Sequence, residues 1–261
     1  MRPFKIKCFG KKGRLNMGHL SKKADILVII PAYNEEENIK AVVENILINH
    51  ADLDYIIVND GSSDRTKSIC EENDFNIIDL PVNLGLAGAF QTGMVYAYQN
   101  GYSYAVQFDG DGQHKPEYIY DMRKKIDEGF DIVIASRFVK DKKPLSLRML
   151  GSNIIELAIL FTTGKRIYDP TSGMRMYSFK VIEEFACNIN YAPEPDTVSY
   201  LVKQGLKVSE VPAKMEERKA GVSYLTPIHA IKYMIRILIS ILLIQNFRKR
   251  DKRYIEWRKK S

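Results

Sequence analysis

Ile26-Leu27-Val28-Ile29-Ile30 is an uninterrupted aliphatic run, too short to span a membrane and lacking the apolar-polar alternation of a half-exposed strand. Such a run suits a strand buried on both faces, inside a mostly parallel sheet with helices on either side. The pattern then repeats. Tyr55 to Val58, Asn76 to Leu80, Tyr104 to Phe108 and Asp131 to Ala135 are further strand candidates. Between them lie segments of helical spacing, the first with Ile39, Val42, Val43 and Ile46 on one side. This alternation predicts a doubly wound α/β sheet, and 261 residues suffice for one large domain of that class with terminal extensions.

In open sheets of this kind ligands bind at the carboxyl ends of the strands, and there the polar residues gather. The first strand runs into Pro31-Ala32-Tyr33-Asn34-Glu35 and the second into Asn59-Asp60-Gly61-Ser62-Ser63-Asp64. The third is followed by Asn83-Leu84-Gly85-Leu86-Ala87-Gly88, whose small residues would let a helix N-terminus approach a diphosphate. After the fourth comes Asp109-Gly110-Asp111-Gly112-Gln113-His114. Two carboxylates one residue apart at an open strand end suit a divalent cation that keeps several waters and takes phosphate oxygens. Glycines at 110 and 112 allow a sharp turn and a close approach. Taken singly, each stretch also reads as plain turn and capping chemistry, with Pro116 opening the next helix.

Their conjunction is more specific. Together with Ser136-Arg137-Phe138, these turns resemble the inverting family 2 glycosyltransferases of the GT-A fold, and within them the polyprenyl-phosphate sugar transferases of the dolichyl-phosphate mannosyltransferase type. The likeness covers about residues 25–225. It implies that Pro31, Ala32, Tyr33, Glu35 and Asp60 hold the base and ribose of a nucleotide sugar, with Asn83 and Gly85 nearby and Asp109 and Gly110 toward the diphosphate. It further implies that Asp109 and Asp111, with Gln113, hold Mg²⁺ or Mn²⁺, and that Arg137 faces the acceptor phosphate.

The second half supplies the acceptor side. Lys142 to Thr163 reads as a helix with a mixed face, and Asp169-Pro170-Thr171-Ser172-Gly173-Met174-Arg175 as a tight loop before a strand. That loop resembles the family's Asp-x-x-Ser-Gly-x-Arg segment, although Asp169 and Arg175 would also pair simply to fix it. Glu194 and Asp196 open another helix at the place where many relatives carry the base that an attacking hydroxyl needs; helix capping is the alternative. An anionic lipid phosphate would need cations and no base. Lys207 to Val211 reads as an edge strand, and Arg218, Gly221 and Ser223 resemble the Arg-x-x-Gly-x-Ser lid of the lipid-phosphate transferases, with Arg218 a phosphate ligand.

Charge is unevenly placed. Residues 1–23 carry eight basic and no acidic residues, and 246–261 eight basic against two acidic, so with a net +7 the body between them is acidic. Basic ends on an acidic body favour an anionic membrane surface and no nucleic acid. From Pro227 to Ile244 the chain is mostly apolar, with His229, Lys232, Arg236 and Ser240 on one narrow helical stripe. Burying those cations in hydrocarbon costs several kcal/mol, so an amphipathic helix in the interface plane is expected, packing on the domain or a partner being the alternative. Three cysteines without a Cys-x-x-Cys pair, and basic N-terminal residues with no apolar segment after them, predict a cytoplasmic protein without a secretory signal.

The expected organisation is a basic extension at 1–23, a GT-A domain at 24–224, and an amphipathic helix with a basic tail at 225–261. The expected activity is metal-dependent, inverting transfer from a nucleotide sugar, UDP-linked by preference, to a polyprenyl phosphate at the inner face of the cell membrane. Transfer to a sugar hydroxyl of a lipid-linked or growing envelope glycan is the rival. An inactive nucleotide-sugar-binding scaffold is a third reading, and a small membrane protein or a second copy is a possible partner. Nucleotidyltransferases, which usually carry a Gly-rich, Lys-bearing first turn, fit Pro31 to Glu35 less well.

Overall fold

The computed structural model describes residues 23–141, 143–144, 146–215 and 227–247. The basic extension, the Arg218 loop and the basic tail lie outside these residues. Seven strands form one sheet: β1 (Ile26–Ala32), β2 (Asp54–Asn59), β3 (Ile77–Asp79), β4 (Tyr104–Gln107), β5 (Ile132–Ser136), β6 (Arg175–Ser178) and β7 (Val208–Pro212), in the order β3-β2-β1-β4-β6-β5-β7. All neighbours run parallel except β6, which is antiparallel to both β4 and β5.

Helices cover both faces, which is why β1 is apolar along its length. Ile26, Val28 and Ile30 of β1 enter one core with α1 (Ile39–Asn49), α2 (Thr66–Glu72) and α4 (Tyr118–Asp127). Leu27 and Ile29 enter the other, with α3 (Gly85–Gln99), α5 (Leu147–Thr163), α6 (Phe179–Cys187), α7 (Pro195–Lys203) and α8 (Pro227–Ile239). Each such side chain contributes about 1.5–3 kcal/mol by leaving water. At Gly93 of α3 a Cβ would stand 2.3 Å from Cγ2 of Ile29, so the missing side chain lets that helix lie close on β1.

One boundary differs from expectation for a local reason. Helix α5 starts at Leu147 and not Lys142, because Ser146 is extended and its hydroxyl accepts the Met149 N–H at 3.2 Å, an N-cap. Beyond α8 the chain winds into a π-helical turn, Ser240–Ile244, and a last helical turn, Gln245–Phe247.

The reversal of β6 arranges the site. Gln107 at the end of β4 pairs with Arg175 at the start of β6, and Ile134 of β5 pairs with the same residue. The loop entering β6 therefore lies at the edge from which the turns after β4 and β5 leave.

Candidate active site

At that edge Pro31, Ala32, Tyr33, Glu35, Asp60, Leu86, Ala89, Asp109, Gly110 and Asp111 line an open cleft of ≈ 340 Å³. Eight of these ten were expected from the sequence. Leu86 and Ala89, from the first turns of α3, were not. Asn83 and Gly85 stand beside the cleft instead of lining it: Asn83 Oδ1 accepts the Gly85 N–H at 2.9 Å and Gly85 takes φ +72°, a turn that starts α3.

The first two turns are laced together. Asn34, at φ 56°, donates its N–H to Ser62 Oγ (2.9 Å), and its side-chain oxygen accepts the Ser63 N–H (2.9 Å). Thr66 Oγ1 accepts the Glu35 N–H at 2.8 Å, and Asp60 Oδ1 accepts that of Leu84 at 2.7 Å. The seryl and Asp64 side chains thus hold the loop, while Tyr33, Glu35 and Asp60 present themselves to the cleft.

In the turn after β4, the His114 Nδ1 accepts the Asp109 N–H at 3.0 Å, so the ring proton sits on Nε2, 3.5 Å from Asp109 Oδ2. The side chain of Asp109 is 39% exposed while Asp111 is buried, its Oδ1 accepting the Gln113 N–H at 3.1 Å. Among the described residues no group of three or more His, Cys, Asp or Glu side chains could enclose a metal. Two carboxylates at an open cleft are a hard-oxygen donor set that fits a divalent cation completed by phosphate and water, and not a closed protein cage. Gly173, on the loop entering β6, makes the closest approach: a Cβ there would lie 2.5 Å from Asp109 Oδ2.

Arg137 forks onto the fully buried Asp169, Nε to Oδ2 at 2.7 Å and Nη2 to Oδ1 at 2.8 Å, and reaches Thr171 Oγ1 at 3.2 Å. Burial alone would lower the Arg137 pKa; the Asp169 carboxylate outweighs it and raises it. Glu210 of β7 accepts the N–H groups of Tyr168 and Asp169, each at 2.8 Å. Arg175 does not pair with Asp169, the arrangement weighed from the sequence. It is buried and donates to the carbonyls of Ser172, Pro170 and Pro193.

Glu194 and Asp196 are not among the residues lining the cleft. Both Glu194 oxygens meet Nη2 of Arg236 at 2.7 and 2.8 Å, and Asp196 Oδ2 accepts from Ser240 at 2.6 Å. Burial pushes the Glu194 carboxyl up, and Arg236 offsets part of that rise. Helix α8 thus packs on the domain, with Arg236 and Ser240 of the polar stripe directed at α7 and the loop before it. Sequence spacing showed the stripe but not its partner, since α7 lies about forty residues away in the chain.

The model of glycosyl transferase family 2 matches residues 27–186. A UDP-N-acetylglucosamine–dolichyl-phosphate N-acetylglucosaminyltransferase of Methanococcus voltae is 35% identical over 214 residues, 72% of this chain and 84% of that one. A polyprenol monophosphomannose synthase of Mycolicibacterium smegmatis is 29% identical over 226 residues, 81% and 84% of the two chains. Among solved structures, glucosyl-3-phosphoglycerate synthase from Mycobacterium tuberculosis, in complex with Mn²⁺, UDP and phosphoglyceric acid, superposes with a TM-score of 0.61 at 19% identity, covering 84% of this chain and 78% of that one.

Proposed function

Because the chain belongs to glycosyl transferase family 2 and is a glycosyltransferase, we propose that it moves a sugar, with inversion, from a nucleotide donor to a polyprenyl phosphate at a membrane surface. The observation that carries this reading is the cleft in which Tyr33, Glu35 and Asp60 meet Asp109 and Asp111 at the carboxyl ends of β1, β2 and β4. The activities by which the two sequence relatives are named support a lipid-phosphate acceptor, and the UDP bound in the glucosyl-3-phosphoglycerate synthase structure agrees with a UDP-linked donor.

In this reading Pro31 to Glu35 and Asp60 hold the base and ribose, and Asp109, Asp111 and Gln113 hold Mg²⁺ or Mn²⁺. The cation would supply Lewis-acid stabilisation of the departing diphosphate. Arg137 is kept charged and oriented by Asp169, and its Nη1 end makes no hydrogen bond among the described residues, so it is the group to receive the acceptor phosphate. Arg218, in the lid-like loop, would add a second cation. The engagement of Glu194 by α8 and of Asp196 by the π-helical turn after it favours an anionic acceptor over a hydroxyl, because an attacking phosphate needs no base.

The membrane is approached through two neighbouring helices. Leu150, Ile154, Leu157 and Phe161 of α5 are exposed, as are Ile231, Ile235 and Ile239 of α8 and Leu242, Leu243 and Ile244 after it. Lys232 stands beside them in a shallow groove of ≈ 350 Å³. Among the described residues no helix is long and apolar enough to cross a bilayer, so these faces would lie in the interface plane.

The test is incubation of the purified protein with labelled nucleotide sugars, polyprenyl phosphate, bacterial membranes as a source of glycan acceptors, and Mg²⁺ or Mn²⁺. Label should enter the lipid phase, Asp111→Ala should lose activity by at least about 100-fold, and Asp196→Asn should remain close to wild type. Label entering polymer, with Asp196→Asn losing several orders of magnitude, would instead establish the hydroxyl acceptor.

A further inference from the structure

The inner side of the C-terminal helix grips one corner of the domain with three side chains. Ser240 Oγ donates to Asp196 Oδ2 at 2.6 Å, Gln245 Nε2 donates to the Asp196 carbonyl, and Arg236 Nη2 meets both carboxylate oxygens of Glu194. Ser240 and Gln245 are buried. Five residues apart, they would diverge by about 140° around an α-helix. The π-helical winding of Ser240–Ile244 turns them to the same side, so that Asp196 is held by its carboxylate and its carbonyl at once.

The far side of that corner is bonded to the loop entering β6. Buried Arg175 joins the Pro193 carbonyl to those of Pro170 (2.8 Å) and Ser172 (2.9 Å). Along the same loop Asp169 fixes the Arg137 fork, and Gly173 abuts Asp109. Hydrogen bonds, joined by the covalent steps Glu194–Pro193 and Pro170–Asp169, therefore lead from α8, whose outer side chains are exposed and aliphatic, to the guanidinium of Arg137.

We propose that Arg236 and Arg175 are positioning residues: α8 fixes the Pro193–Asp196 corner, Arg175 passes that placement to the 169–173 loop, and the seating of α8 thereby sets the geometry around Arg137. The catalytic consequence rests on the reading of Arg137 as the acceptor-phosphate group, whereas the mechanical link does not. A helix that merely packs would hold its own neighbours and leave the loop beyond Arg175 unaffected.

The experiment compares full-length wild type, Arg236→Ala and Arg236→Lys. The Arg236 side chain is 62% exposed, so both variants should fold. Amide hydrogen exchange decides the link: in Arg236→Ala the 167–175 segment should exchange about threefold to tenfold faster, with partial restoration in Arg236→Lys. Faster exchange confined to α8 and the Pro193–Asp196 corner overturns the proposal. With a detergent-dispersed short-chain polyprenyl phosphate, which removes any need for bilayer attachment, the acceptor KM should rise by a similar factor while the donor KM stays put. A parallel rise in both overturns it too. If the wild type transfers no label to lipid from any donor, the functional reading fails on that count while the exchange measurement still judges the link.

Discussion

Gly173 is the residue on which the two halves of the site touch. A methyl group there would stand 2.5 Å from Asp109 Oδ2 and 3.3 Å from His114 Cε1. Gly173→Ala should therefore displace the Asp109 carboxylate and lower metal-dependent turnover by about 10- to 100-fold, at a small loss of thermal stability; unchanged metal titration curves would show that the contact imposes nothing. Glu210 offers a test by pH. Burial raises its carboxyl pKa despite the two N–H groups it accepts, so the folded chain holds that proton more tightly than the unfolded one. Its contribution to stability is then full below the ordinary carboxylate range, about 4.3, and is lost as pH rises through the folded value. Glu210→Gln should flatten the decline of the melting temperature over that window relative to wild type. Tyr33, Asp60, Asp109 and Asp111 were legible as cleft candidates because their chemistry is written in short local stretches. The Arg137–Asp169 fork was not, because its partners lie 32 residues apart and meet only in the folded sheet, nor was the turning of Arg175 onto the carbonyls of its own loop and of Pro193 in place of Asp169.

Periodicity revealed that α8 has two faces and left open which one meets protein. The answer lies in α5: at Gly151 a Cβ would come within 1.6 Å of Met234 Sδ, so α8 lies close along that helix. Tyr233, Met234, Ile237 and Leu238 turn inward, and Ile231, Ile235 and Ile239 turn outward. The outward side chains of α5 follow the same logic, since Leu150, Ile154, Leu157 and Phe161 recur at steps of four, three and four. The sequence showed only a mixed face there. Replacing Phe161 and Ile235 together by Ser should weaken co-sedimentation with anionic vesicles by about tenfold or more, at about 1.5–3 kcal/mol for each large apolar group no longer buried. Equal sedimentation of variant and wild type would rule these two helices out as the docking face.

Over the whole molecule, strict alternation of strand and helix made the parallel sheet legible up to β5 and then fell silent. The strand expected after the 169–175 loop is found at Arg175–Ser178, but neither its direction nor its neighbours follow from composition, because both depend on pairing with Tyr104–Gln107 and Ile132–Ile134. The pairing has a price during synthesis. Strand β5 touches the first four only through β6, a strand that leaves the ribosome about forty residues later. Until then β4 carries one unpaired edge and β5, whose other neighbour β7 is made later still, carries two, so a nascent chain arrested before Arg175 offers these sticky margins to its neighbours.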